Sequence, residues 1–568
     1  MKVLVQKIWE RPLLFWIIVN LCFLFVSIFL FHPYFETNDD ALMALMAEGV
    51  YGQKEYHLVY MSVFIGRILQ FLYGVFPSLR WYSLIQYVIL FFSFTGITYI
   101  LARKGEKAEG SWVALLFLLA FFTEGYVAIQ YTKTSAFAAF GAYALLFNGL
   151  KRKNWKQVGI GAFLLTASSL LRFKSFLGTL PFAAGMGIFE VCMTWTETEK
   201  MEKWRALKRY VFIFGCLLTV LFCLERVNLS FYRQTEGWSK YWEFNKKREE
   251  VLDFQRLDSV RYKEVFQREG ISENDILSYS TWQFAAPDVF HLDLMEKILE
   301  VTSIPMNVLD LKKLVKDYGA EMFQFLYSLN AFVIAQVSIL LIQMIYGRKK
   351  NWMPALYGCS LFALLTAYFL YKGRWTYRTT VIFFFGMFFM TLYYWYKNQD
   401  MDGKRERKKV WIVVAGILLF LNGGIWMKNT FIYKREVREN MDRIRSFNDM
   451  ISRDKEHLYL IDTFTDATFY QWDVFHAYKE GDFDNVCSFG SWMTNSPVAL
   501  NVLLKYGTDN PYKSAYMLPE ALVVDNHYME EKIIYIKEHY GVEVMAMELE
   551  EAFGFQIYKV VEKNRLEN

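Results

Sequence analysis

The chain has 568 residues, 54% of them hydrophobic and 19% aromatic, and 63 Lys and Arg against 58 Asp and Glu leave a formal charge of +5. Its apolar residues fall in runs long enough to cross a bilayer, which takes about 20 residues, and this excludes a wholly soluble multidomain chain. Six cysteines without a CxxC argue against zinc and dithiol chemistry, and the lack of a Walker A or GxGxxG pattern argues against an ATP-driven pump or a dinucleotide enzyme.

In chain order, apolar runs at 12–31, 81–101, 112–128, 134–150, 157–171, 176–195, 210–227, 325–346, 353–371, 378–397 and 410–427 predict about eleven membrane spans. The first run is too long for the core of a cleavable signal and ends in His32-Pro33-Tyr34 rather than in small residues. Lys2, Lys7 and Arg11 precede it, and Arg103, Lys104 and Lys107 follow the second run. Further basic clusters follow the fourth (Lys151 to Lys156), sixth (Lys200 to Arg209), eighth (Arg348 to Lys350) and tenth (Lys404 to Lys409). Every second connection is thus basic, which predicts a cytoplasmic N-terminus. The opposite face then carries loops 32–80 and 228–324 and the tail 428–568. Segment 59–76 holds Gly66, Arg67 and Gln70. As a span it would break the charge alternation, so it is expected to lie in the interface as an amphipathic helix. In the tail, a charged helix at 434–454 precedes strand-like runs at 457–461, 522–525, 542–547 and 555–561, with a helical segment at 528–539. The expected fold is an α-helical polytopic membrane protein: a membrane module, 1–427, and a small extracytoplasmic α/β domain, 428–568.

Directly after the first run, the sequence reads Phe35-Glu36-Thr37-Asn38-Asp39-Asp40, and a short helix is expected at 41–49. Asp39 or Asp40 could cap that helix, or an acidic pair at the membrane edge could do chemistry; the two roles are compatible. An acidic pair opening the first outer loop resembles the signature of GT-C glycosyltransferases, membrane enzymes that take sugars from polyprenyl-phosphate carriers. The wording around it, Ala47-Glu48-Gly49-Val50-Tyr51-Gly52, His57-Leu58-Val59, Leu72-Tyr73 and Trp81-Tyr82, also resembles GT-C-like proteins of Gram-positive bacteria. The resemblance covers the helical part through about residue 430. It implies two interfacial helices, supplied here by 41–49 and 59–76, and a bacterial plasma-membrane location.

Such transfer displaces a phosphate at the anomeric carbon. A carboxylate, Asp39 or Asp40, would take the proton of the acceptor hydroxyl. Fixed cations would stabilise the leaving phosphate. Arg172, Lys174, Arg374, Arg378, Lys133 and Arg67 are candidates because they lie on the outer face, against the positive-inside bias; the plainer account of each is snorkelling to lipid headgroups. Glu124 is a candidate second acidic residue for the acceptor, or an ordinary loop carboxylate. Trp238, Tyr241, Asn245 and Arg248 suit sugar rings, and equally suit helix packing. His32 and His57 with Asp39 are a candidate metal set; the resemblance makes no cofactor certain and leaves a divalent Mg or Mn ion open. The expected partners are a polyprenyl-phosphate sugar, membrane lipid and a cell-envelope glycan, lipid or protein acceptor, and no nucleic acid. The alternatives are a transporter or flippase of lipid-linked glycans, or a polymerase or ligase of them. No repeat and little mid-span charge speak against transport. An arginine-only polymerase or ligase would not need the acidic pair.

Overall fold

The computed structural model of the protein describes residues 11–104, 107–195, 200–254, 257–258, 262–302, 308–328, 336–337, 349–394, 416, 435–436, 438–467 and 473–565. Helix α1 (Pro12–Leu30) opens on a proline, which has no amide hydrogen to leave unpaired there. It buries Trp16, Asn20 and Ser27 and leaves Leu21, Phe25 and Phe29 exposed. After strand β1 (Tyr34–Phe35) come α2 (Asn38–Glu48), α3 (Val63–Val75), α4 (Trp81–Ala102), α5 (Lys107–Tyr126) and strand β2 (Ala128–Ile129). They are followed by α6 (Tyr131–Arg152), α7 (Trp155–Leu171), α8 (Phe173–Trp195), α9 (Lys200–Gln234) and α10 (Trp238–Arg248). A π-helical turn, Glu249–Asp253, extends α10. Three short helices, α11 (Lys263–Arg268), α12 (Glu273–Ser280) and α13 (Leu292–Val301), precede α14 (Val308–Ser328), α15 (Lys349–Tyr371) and α16 (Tyr377–Tyr393).

Among the described residues, five helices are long and apolar enough to cross a membrane: Pro12–Leu30, Trp81–Ala102, Phe173–Cys192, Leu207–Gln234 and Trp352–Tyr371. Only 11% of the apolar window in Leu207–Gln234 is buried. A helix that pairs its own backbone and is apolar all round suits lipid, not water. The architecture fits a helical membrane protein.

It does not reach the expected count of about eleven spans. The apolar part of α5 (Gly110–Tyr126), α7 and α16 are helical but short. Each has 17 residues, about 26 Å at 1.5 Å per residue, against a hydrocarbon core of about 30 Å. Helix α6 is longer but is buried nearly throughout, so it carries Ala and Gly where a lipid-facing helix carries larger apolar groups. A Cβ on its Gly141 would stand 2.9 Å from the Ser93 Cα of α4. The expected span at 410–427 lies outside the described residues except for residue 416, and that at 325–346 is described only at 325–328 and 336–337.

Strand β1 pairs in parallel with β2, Tyr34 opposite Ala128 and Phe35 opposite Ile129. This ties the first large loop to the turn between α5 and α6. Helix α3 starts at Val63 rather than Val59, because Val59 has φ 62° and Ser62 caps the helix with its hydroxyl. It buries Val63, Ile65, Leu69 and Tyr73 and exposes Ile68 and Phe71.

In the tail, helix α17 (438–453) leads into a five-stranded mixed sheet. Its strands are β3 (Leu458–Ile461), β4 (Val486–Ser488), β5 (Ala521–Val524), β6 (Val544–Ala552) and β7 (Phe555–Glu562), in the order β4-β3-β5-β7-β6. β4 and β5 flank β3 in parallel, and β7 runs antiparallel to β5 and β6. Helices α18 (Pro497–Leu504), α19 (Pro511–Met517) and α20 (Met529–Tyr540) join them. The sheet does not close a core of its own. Leu458, Leu460 and Val523 belong to one cluster with Phe266, Phe290 and Ile298 from the second large loop. That loop also reaches the ends of the parallel strands. Trp282, at φ 62°, accepts a hydrogen bond from Thr463 Oγ1 at 2.9 Å, Gln283 donates to Asp462, and the Ala285 amide donates to the Phe489 carbonyl at 2.8 Å. Beneath them the buried Lys532 lies 2.7 Å from both Asp462 and Asp525.

Candidate functional site

The adjacent carboxylates sit in the first turn of α2, after Thr37 in extended conformation, where the helix dipole favours negative charge. They have different surroundings. Asp40 is fully buried. Its Oδ1 accepts from Tyr82 Oη at 2.9 Å, the Tyr131 amide at 3.0 Å and Gln86 Nε2 at 3.3 Å, and its Oδ2 from Thr37 Oγ1 at 3.2 Å. Burial outweighs these hydrogen bonds and pushes the Asp40 carboxyl up to about 7. Asp39 instead meets a cation: its Oδ2 lies 3.2 Å from Arg378 Nη1. The opposite end of α2 is also fixed by charge, with Glu48 3.0 Å from the buried Arg80.

Arg378 opens onto a cavity of about 950 Å³ that Arg172, Lys174, Lys372 and Arg374 also line. These five cations come from the start of α16, the end of α7, the start of α8 and the turn after α15. Leu177, Ile382 and Phe383 give the cavity an apolar wall, and Tyr368 and Tyr371 at its edge are exposed. Arg172 lies over the rings of Tyr60 (4.7 Å) and Tyr131 (5.6 Å), and donates to the Tyr60 carbonyl at 3.2 Å. Among the described residues it forms no ion pair. Lys174 and Arg374 converge on Glu249, at 2.6 and 2.7 Å. Burial alone would raise the Glu249 carboxyl; Lys174 and Arg374 hold it down at about 2. Arg374 also meets Asp253 at 3.0 Å, and Asp253 meets the buried Arg248 at 3.2 Å.

The other sequence candidates are placed differently. Lys133 is buried between Glu36 (2.5 Å) and Glu124 (2.8 Å), and Glu124 accepts from Tyr377 Oη at 2.9 Å. Arg67 is exposed on α3 and covers the Tyr56 ring at 3.5 Å. Neither Lys133 nor Arg67 lines the cavity. Trp238, Tyr241, Asn245 and Arg248 are buried along α10. Trp238 stacks on His57 at 4.7 Å, Tyr241 donates to the Trp492 carbonyl at 2.6 Å, and Asn245 accepts from Arg248 at 3.0 Å. These contacts are packing of the second loop onto the first loop and the tail. The candidate metal set does not form a cluster. His57 meets Glu55 at 2.7 Å, while His32 lines a separate cavity beside Arg80. Asp39, Glu36 and Glu124 each face a protein cation, an arrangement that does not fit a divalent ion. Among the described residues, the ligand atoms of Asp275, Glu538 and His539 do lie within 4.8 Å of one another, but far along the chain from the acidic pair.

Sequence reasoning assigned no role to Glu36, Tyr60, Glu249, Asp253 or Lys372. Glu249 follows Lys246-Lys247-Arg248 and so reads as part of a solvated charged run; only the fold brings it to Lys174. Together the residues place Asp39, paired with Arg378, beside a roomy cavity with an apolar wall, whose lining carries Arg172, Lys174, Lys372, Arg374 and Arg378 along with the carboxylates Glu249, Glu250 and Asp258. The volume lies within the range of about 300–1,000 Å³ common for small-molecule sites. The chain matches no protein-family model and no curated protein.

Proposed function

We propose that the chain is an inverting glycosyltransferase of GT-C type, moving a sugar from a polyprenyl-phosphate donor to a cell-envelope acceptor. One observation carries this reading: Arg172, Lys174, Arg374 and Arg378 line a single cavity, and Arg378 is paired with Asp39. In the proposed reaction the acceptor oxygen bonds to the anomeric carbon as the bond from that carbon to the phosphate oxygen breaks. The phosphate leaves with the electron pair and the cavity cations take up its charge. The acceptor proton passes to Asp39. Asp40, held by neutral donors, orients the turn and is not the base. The apolar wall suits the first isoprene units. The reading carries a full topology of about eleven crossings, basic connections in the cytoplasm, the tail outside as an α/β unit, and a bacterial plasma membrane.

The test is release of polyprenyl phosphate from polyprenyl-phosphate hexoses by the full-length protein in lipid nanodiscs. Asp39→Asn should lower the rate by at least about a hundredfold, the scale of a lost general base, with the melting temperature of the protein little changed. Full activity in Asp39→Asn would overturn the mechanism.

A further inference from the structure

Glu249 stands where the proposed donor phosphate would bind. Its two oxygens occupy Lys174 Nζ at 2.6 and 2.8 Å, and Oε1 also takes Arg374 Nη1 at 2.7 Å. Resting on the reading of the cavity as a phosphate site, we infer that Glu249 is an exchangeable counter-anion: it holds Lys174 and Arg374 until a lipid-linked phosphate monoester or diester takes them over.

The two loop carboxylates on these cations are not equivalent. Asp253 is locked. It pairs with Arg248, which is fully buried, lies 4.9 Å over the Trp282 ring and donates to Asn245 Oδ1 at 3.0 Å. Moving Asp253 would strip a buried guanidinium of its partner, a costly change. Glu249 has no such second duty. Its main partner, Lys174, lies at the cavity mouth with its side chain 63% exposed, whereas the Arg248 partner of Asp253 is fully buried, so Glu249 parts from its cation at less cost. Glu249 also opens the π-helical turn, a wide backbone form frequent at functional sites. A phosphate monoester carries more charge than a carboxylate and a diester the same charge, and both present oxygens in a geometry that suits arginine, so either competes for the same two cations. Arg172, which forms no ion pair among the described residues, remains as the point of first capture.

Glu250 supplies the control. It lines the same cavity, and among the described residues it forms no ion pair. Glu249→Gln and Glu250→Gln therefore change the cavity charge equally, but only the first releases Lys174 and frees Arg374 Nη1, while Arg374 Nη2 stays on Asp253. Binding of undecaprenyl phosphate to the full-length protein in nanodiscs, with inorganic phosphate as a parallel ligand, reads the difference. Glu249→Gln should bind the lipid phosphate roughly tenfold tighter than the unaltered chain, and Glu250→Gln within about twofold of it. Gain for inorganic phosphate as well would identify the phosphate group as the competing species; gain for the lipid alone would show that the isoprene tail is needed, and either supports the exchange. Equal gains in the two variants would overturn it in favour of bulk electrostatics. Unchanged or weaker binding in Glu249→Gln, with the unaltered chain binding well, would overturn it and leave the cavity reading intact. No binding by any form, each melting normally, would remove both.

Discussion

Asp39 and Asp40 are neighbours in sequence, and Asn substitutions separate their roles. Asp40 is buried and surrounded by neutral donors, and burial pushes its carboxyl from the ordinary 3.8 up to about 7. That difference is worth about 4 kcal/mol, at about 1.36 kcal/mol for each tenfold change in proton affinity. The folded value lies above the unfolded one, so the folded state binds the proton more tightly. The associated stability is fully present below the unfolded value, is lost as pH rises through about 7, and changes no further above that. Glu48, pushed up by burial to about 7 as well, adds a loss of the same sign. Asp40→Asn keeps an acceptor for Tyr82, Gln86 and the Tyr131 amide and removes the charge. Thermal melts at pH 5, 7 and 8.5 should show the unaltered protein losing several degrees across this range and Asp40→Asn losing about half as much. At pH 8.5 the variant should be the more stable of the two. Asp39→Asn, which leaves Arg378 without its carboxylate and removes a charge that helps push Asp40 up, should flatten the pH slope less than Asp40→Asn does. An unchanged slope in Asp40→Asn would refute the account of its burial.

Two more substitutions test the join between the sheet and the second loop. Lys532→Met leaves Asp462 and Asp525 as buried carboxylates without their cation, and should cost about 3–5 kcal/mol, seen as faster proteolysis within 458–562; unaltered resistance would contradict the ion-pair geometry. Gly490→Ala sets a Cβ against the Trp282 carbonyl, with backbone on both sides of the clash. It should cost about 1–3 kcal/mol and raise hydrogen exchange across 281–290, and exchange at the original rate would show that the two segments do not meet there.

The membrane helices were legible because hydropathy reports lipid exposure, and it failed where exposure failed. Helix α6 lies inside the bundle, so its alanines and glycines record close helix approach. The cavity cations were legible one by one as Arg172, Lys174, Arg374 and Arg378, because each stands at a turn where an apolar run stops. Their counter-anions were not. Glu249 and Asp253 lie far off in sequence, inside a charged stretch. Lys133 and Glu124 were each visible as charged groups between two apolar runs, yet nothing in their spacing says that they satisfy one another with Glu36. Trp238 and Tyr241 have the composition of a sugar platform, and tertiary packing uses them as buried wedges. Of the tail strands, β4 escaped notice because three residues, Val486–Ser488, hold too little pattern to read.

The shared core of the sheet and the second loop has a consequence for how the protein is made. Phe266, Phe290 and Ile298 leave the ribosome long before Leu458 and Val523 exist, and apolar helices are synthesised in between. The loop must therefore wait, with aromatic surface uncovered, until the last strands arrive, a high-contact-order step that is slow and prone to misassembly. Chains terminated before β3 would lose more than the tail. They would leave the segment carrying Glu249 and Asp253 without its support, and quality control would meet them as unfinished protein.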